Sequence, residues 1–391
     1  MPDLHVIPGV WTPIRGYTEL RKRLRALGFK EELGNLLPIA YDWRLSNRYN
    51  ARRVATIVEP ALERWRAASP DNRDARLVFV AHSMGGLVAR WYVERCGGAE
   101  VTRKLVTLGT PYRGSAKALV QLVNGVRKDF GPLTADLTAF ARSMPSLHQL
   151  LPTYACVDRP EGLATLAEAG LPGLDVGMAA DAGAFHEELA RAEAGRAGSL
   201  AMTHAIIGAR QPTVTTVRIV GGRAEGLNTI EGDNDFGDGT VALAGAIGHD
   251  LSMDTNVVSR VIDIHGSLQA NPYALDQIEE VLTTVPVRRR APATVPVQVT
   301  VPDFVLAGEH VPIAVQLPVE TRDSVLVTVV DERGQSVFSR RPPNRGGLLS
   351  TDVPALPPGG YEVRVTGTRP GSPVTPVTAP VLVWDPAAGE P

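Results

Sequence analysis

The chain has 391 residues, with 40 Lys+Arg against 42 Asp+Glu, a hydrophobic fraction of 44% and a charged fraction of 21%, so it belongs with ordinary globular proteins of two or three domains. A formal net charge of -2 disfavours nucleic acid as a partner, because phosphate binding needs concentrated positive charge, and no run approaches the ~20 apolar residues that span a bilayer. Two cysteines, Cys96 and Cys156, make neither a disulfide framework nor a zinc site and are expected as reduced buried thiols.

The opening residues MPDLHVIPGV lack the basic and long apolar regions of a signal peptide. As it stands, a cytoplasmic chain is the expectation. Leu4–Ile7 is a short strand candidate closed by Pro8-Gly9. Tyr17, Leu20, Leu24 and Leu27 recur at helical spacing up to Gly28. The basic residues between them (Arg21, Lys22, Arg23, Arg25) read as a solvated face rather than a membrane-surface patch. Leu36–Trp43 is predicted as a strand, and a helix follows from about Ala51 to Ala68, bent at Pro60. Arg76–Ala81 is a continuous apolar run, as for a strand buried on both faces of a parallel sheet. From Met84 the period becomes helical, and Lys104–Leu108 is another buried strand.

Between about residues 115 and 200 the alternation breaks. Helical pieces at Lys117–Asn124, Leu133–Met144 and Asp181–Ala194, with no clear strand, predict a helical cap inserted over one end of the sheet. Strands resume at Ala205–Ala209 and Val257–Ile264, before a helix near Leu275–Leu282. Residues 286–295 form a Pro/Arg-rich linker. Beyond it the period is two, as in Val297, Val299, Val301 and in Tyr361, Val363, Val365, which predicts an all-β, immunoglobulin-like sandwich over 296–391.

The chemistry is concentrated in Ala81-His82-Ser83-Met84-Gly85, between a buried strand and an amphipathic helix. This is a nucleophile elbow of the pattern small-x-Ser-x-Gly. The tight turn demands small residues two before and two after the serine, and the Met84 amide at the start of the helix faces a developing oxyanion. A serine needs a histidine base, and the histidine an acid. Of the eight histidines, His265 ends the last predicted strand and is the preferred base; His249 is the rival. His82 points away from Ser83 and is assigned to packing. Asp238, between Gly237 and Gly239, is the candidate acid, with Asp233 and Asp235 in the same loop as competitors that read more simply as solvated turn residues. A calcium loop at Asp233 fails, because Gly237 occupies the fifth position and no Glu stands at the twelfth. Neither a metal nor a cofactor is called for.

Together these segments resemble the lecithin:cholesterol acyltransferase family. The matching pieces are Tyr41-Asp42-Trp43-Arg44, the elbow at Ala81–Gly86, Leu108-Gly109-Thr110-Pro111-Tyr112-Arg113-Gly114-Ser115, Gly237–Val241 and His265, in family order from about Val6 to Leu282. The resemblance implies an α/β-hydrolase fold over residues 1–285, a triad of Ser83, Asp238 and His265, and a cap that admits lipid acyl chains. It also implies a lipid or ester substrate and transient contact with a membrane surface. Asp42 and Arg44 read as a structural ion pair, and Gly109–Ser115 as the strand end and cap hinge. The family's second oxyanion amide comes from a Pro-Gly loop after its first strand. Pro8-Gly9 stands in that place, but its spacing to Tyr41 is closer to a later Pro-Gly segment of the family, which would leave the first strands and one oxyanion donor missing. Acyl transfer or hydrolysis on lipid esters is therefore the expected function. The competing readings are a plain carboxylesterase or triacylglycerol lipase, and a truncated, silent hydrolase domain that serves binding. No partner is assigned to the C-terminal module.

Overall fold

A computed structural model describes residues 4–5, 14–130, 133–171, 173–195, 202–248, 257–283, 295–319, 321, 323–369 and 372–385. Its centre is a parallel sheet of four strands, β1 (Leu77–His82), β2 (Thr102–Leu108), β3 (Met202–Ala209) and β4 (Val258–Ile262), side by side in that order. Parallel neighbours need long crossovers. Here α3 (Met84–Arg95) joins β1 to β2, while α1 (Thr18–Ala26) and α2 (Asn47–Ala68) precede the sheet. Next, α4 (Ala116–Asn124) and α5 (Val176–Gly195) lie in the long connection from β2 to β3, and α6 (Pro272–Thr283) follows β4. The Ser46 hydroxyl caps α2 by accepting from Tyr49 N, and Pro60 lies inside that helix.

Three expectations are corrected. Leu36–Trp43 is not a strand: it runs as irregular chain, because Pro38 lacks an amide donor and the apolar residues serve packing instead. Leu36, like Val78 and Val80, packs against the cluster that holds Val106, Leu108 and Ile206, while Ile39, Tyr41 and Trp43 lie against the cluster built largely by α2 and α3. Consequently β1 is the outermost described strand of its sheet and is half-buried over most of its length, not covered on both faces. The segment predicted as a helical cap is not wholly helical either. Arg127–Phe130 pairs with Leu133–Asp136, and the Asp136 carboxylate accepts from Thr138 N, so the helix begins only at Thr138 and ends at Arg142. A second hairpin, Val157–Arg159 with Gly162–Ala164, joins Thr216–Val220 and Arg223–Leu227 in a four-stranded sheet.

The C-terminal strands form two sheets. Gln298–Thr300, Val311–Gln316 and Leu348–Val353 make one. Phe304–Leu306, Val325–Asp331, Ser336–Arg340, Gly359–Gly367 and Val377–Trp384 make the other, in which Phe304–Leu306 pairs parallel and the rest antiparallel. Alternate valines of both sheets close one shared core. Most of the predicted linker lies outside the described residues; Val295, at its end, bridges Val374. Cys96 and Cys156 are free thiols. Among the described residues no helix is long and apolar enough to cross a membrane.

Candidate active site

Strand β1 ends at His82 and α3 begins at Met84, so Ser83 makes the whole turn. Its φ of 55° and ψ of -132° lie where L residues are strained by about 1–3 kcal/mol. Hydrogen bonds hold it there: Ser83 N donates to Leu108 O (2.8 Å), and Ser83 O accepts from Gly86 N (3.0 Å) and Thr110 Oγ1 (2.9 Å). The crowded small residue is Gly86. A Cβ there would overlap the Thr110 hydroxyl, whereas one at Gly85 would meet only the Tyr41 ring at 3.7 Å. The steric demand thus falls three residues after the serine, not two.

His265 opens a 3-10 turn (His265–Ala270) just past β4, and Asp238 sits in a turn that follows β3. The structure brings both to Ser83. His265 Nε2 lies 2.7 Å from Ser83 Oγ, and His265 Nδ1 lies 2.8 Å from Asp238 Oδ2. A carboxylate only accepts, so Nδ1 carries the proton and Nε2 is left to accept from the serine hydroxyl. The other carboxylate oxygen, Oδ1, accepts from Thr240 N (3.0 Å) and Val241 N (2.7 Å), and His265 N donates to Asp238 O (2.7 Å). Asp238 and His265 are buried while Ser83 stays partly open to solvent. A hydroxyl in this relay can lose its proton as it attacks, and the resulting imidazolium faces a fixed carboxylate.

Two glycines away from the elbow and from the Asp238 turn make room for this set. A Cβ at Gly208, inside β3, would overlap that of Asp238. One at Gly109 would come within 3.0 Å of Asp238 Oδ2 and 3.1 Å of His265 Nδ1, and Gly109 also has a φ of +57°. Glycine within an apolar strand pattern is the sequence signal for such a close approach, and it was available at Gly208.

His82 does more than pack. Its Nε2 lies 3.0 Å from His265 O and its Nδ1 3.2 Å from the Tyr17 hydroxyl. The carbonyl can only accept, so Nε2 carries the proton and Tyr17 donates to Nδ1. Burial, with the adjacent His265 adding to it, pushes the His82 imidazole down to about 3. Burial pushes the Tyr17 phenol up to about 12. An unfolded chain protonates His82 near pH 6.5, while the folded one resists to about 3. The unfolded state therefore binds more protons between those values, so lowering the pH through that window removes stability, by up to about 1.4 kcal/mol per pH unit. Urea unfolding of the wild type and His82→Gln between pH 7 and 4 checks this. The variant, whose amide nitrogen replaces Nε2, is expected to show the shallower loss; parallel curves would refute it.

The other sequence candidates are not part of this set. His249 and Pro8-Gly9 lie outside the described residues. Asp233 is exposed, but Asp235 is not a solvated turn residue: it is half-buried, accepts from Ala244 N (2.8 Å), and desolvation raises its pKa. Asp42 and Arg44 pair at 2.8 Å at the surface. Met84 follows Ser83 at the N-terminus of a 12-residue helix, where amides favour negative charge. A cavity of about 510 Å³ lined by Arg48, Trp91, Arg95, Asp181 and Glu188 lies at the far end of α3 from Ser83, and its Arg48 is already paired with both acids. Among the described residues no group of three or more His, Cys, Asp or Glu side chains converges on a metal position.

Compared with known proteins, residues 12–167 match the model of the family described as lecithin:cholesterol acyltransferase. No curated protein matches the chain. Among solved structures, a chain of the Tle4–Tli4 complex is 15% identical with a TM-score of 0.41, over 60% of this chain and 65% of that one, so just under two thirds of it is spanned. The Bacillus licheniformis lipase BlEst2 in propeptide form is 9% identical with a TM-score of 0.35, over 86% of this chain and 83% of that one. CopC from Methylosinus trichosporium OB3b is 15% identical with a TM-score of 0.18, over 22% of this chain and 87% of that one.

Proposed function

We propose that the chain, whose residues 12–167 match the model of the lecithin:cholesterol acyltransferase family, transfers or hydrolyses acyl groups of lipid esters through an acyl-enzyme on Ser83. The observation that carries this is the relay of Ser83 Oγ, His265 and Asp238 with contacts of 2.7 and 2.8 Å. His265 Nε2 takes the hydroxyl proton as Ser83 Oγ bonds to the ester carbonyl carbon. The carbonyl oxygen becomes an oxyanion facing the Met84 amide. As the tetrahedral species collapses, the alkoxide leaves with the proton from His265. Water or an alcohol then attacks the acyl-enzyme with the same base. Residues 1–285 are read as an α/β-hydrolase domain with its cap at about 115–200, and 296–391 as a β-sandwich module.

Two measurements test the reading. Turnover of a short nitrophenyl ester is expected in the wild type and not in Ser83→Ala, with a fluorophosphonate labelling only the former; equal rates in the two proteins would end the enzyme claim. A phospholipid donor with a labelled sterol or fatty alcohol is expected to yield labelled ester. Fatty acid alone would reduce the activity to that of an esterase or lipase.

A further inference from the structure

Two buried polar side chains that the chemistry above leaves unused, Gln211 and Ser267, both reach from the parallel-sheet part to the C-terminal strands. Gln211, 1% exposed, donates from Nε2 to Val297 O (2.9 Å) and accepts at Oε1 from Val299 N (3.0 Å). Its side chain thus pairs with the Gln298–Thr300 strand as another backbone would. Its own backbone pairs in both directions with Gly237 (2.9 and 3.0 Å), the residue immediately before Asp238. Ser267, fully buried and two residues beyond His265, donates to Thr378 O (2.6 Å). Thr378 N in turn donates to Asp263 Oδ1 (3.4 Å), and Asp263 Oδ2 accepts from Asn271 Nδ2 (2.8 Å), which closes the turn carrying His265 from both ends. Ile262 and Ile264 pack against the C-terminal core.

We propose that the C-terminal strands brace the acid and base turns of the active site, with Gln211 as the positioning residue on the Asp238 side and Ser267 on the His265 side. The inference rests on the serine-enzyme reading above. Its physical basis is that Asp238 and His265 stand on separate loops beyond the ends of β3 and β4, where the ladder no longer fixes their separation. The glycines on either side of Asp238 leave its turn especially free. Tying both loops to strands that share one packed core sets the distance that the relay needs. The C-terminal strands are then part of the machinery of turnover rather than an appended module.

The test uses full-length protein: wild type, Gln211→Leu, Ser267→Ala, Ser267→Thr, and Asp303→Asn, which breaks only the surface pair with Lys117. Turnover is counted per fluorophosphonate-titrated site, so unfolded protein does not enter. Gln211→Leu and Ser267→Ala are expected to lower kcat about tenfold to hundredfold with little change in KM, since a misplacement near 1 Å costs about 10². Ser267→Thr should restore kcat, and Asp303→Asn should stay within twofold of wild type. Unchanged kcat per site would overturn the brace. If Gln211→Leu does not fold, the Ser267 pair decides. The downfield proton resonance of the His265 imidazole gives a readout without turnover. It should be sharp in wild type and broadened in Gln211→Leu and Ser267→Ala. Absence of turnover in wild type would therefore remove the function above, while this resonance still decides whether the strands hold the imidazole.

Discussion

Replacing His265 by alanine is expected to lower kcat for a nitrophenyl ester by about 10⁶, and Ser83→Ala by the same order, with the double variant no worse than either. The non-additivity is the sharper part of the expectation. Without the Ser83 hydroxyl the imidazole has no proton to take, and without the imidazole the hydroxyl has no acceptor, so in either case the residual rate belongs to substrate binding and the Met84 amide. Asp238→Asn should cost about 10⁴ for a different reason. Oδ1 remains an acceptor for Thr240 N and Val241 N, so the turn keeps its shape. The new amide, however, presents a donor to His265 Nδ1, which drives the ring proton to Nε2 and aims it at the serine. Circular dichroism should show folded protein throughout, and kcat should be counted on protein verified as folded, because Ser83→Ala cannot be titrated with a fluorophosphonate. Losses that multiply in the double variant would mean that Ser83 and His265 act separately, and the relay would be wrong.

Much of this set is legible in the sequence, for a physical reason. A buried run that ends in small-x-Ser-x-Gly and opens a helix can hardly place Ser83 anywhere but at a corner. An apolar run that ends in His265 places that ring at the mouth of the sheet. What separates Asp238 from Asp233 and Asp235 is not local. It is the absence of side chains at Gly208 and Gly109, on two other strand ends, and nothing near Asp238 reports it. The bond from Tyr17 to His82 spans 65 positions and is equally silent. The fold shows the same division. Long alternating runs such as Val325–Asp331 and Gly359–Gly367 declare themselves. Val157–Arg159 and Gly162–Ala164 are too short for any period to register. Leu36–Trp43 has strand composition, but whether a segment finds a ladder partner is decided by tertiary packing and not by its own residues.

The largest stability effect is expected where α5 meets α3, the helix that follows Ser83. On α5, Ala182, Phe185 and Leu189 are buried, and Phe185 stacks on Trp91 of α3 with ring centroids 5.0 Å apart. One turn further on, Glu193 meets Arg90 of α3: Arg90 Nε lies 2.9 Å from Glu193 Oε1, and both side chains are under a tenth exposed. The guanidinium also lies over the Tyr112 ring, 4.3 Å from its centroid. Two charges withdrawn from water this far are tolerated only as a pair. Glu193→Ala should therefore cost about 3–5 kcal/mol, chiefly by leaving the Arg90 cation buried, and not through loss of the attraction itself. The double variant Arg90→Met with Glu193→Leu, which removes both charges and fills their volume, should recover most of that loss and can exceed wild type. Urea unfolding read by fluorescence and circular dichroism measures both. The exposed Arg191–Glu187 pair on the same helix, with each side chain over 70% exposed, serves as the control and should contribute close to nothing. Neither Arg90 nor Glu193 touches the relay, so the double variant should keep its turnover per titrated site. A double variant as unstable as Glu193→Ala would mean that the contact holds α5 to α3 by its geometry, and the desolvation account would fail.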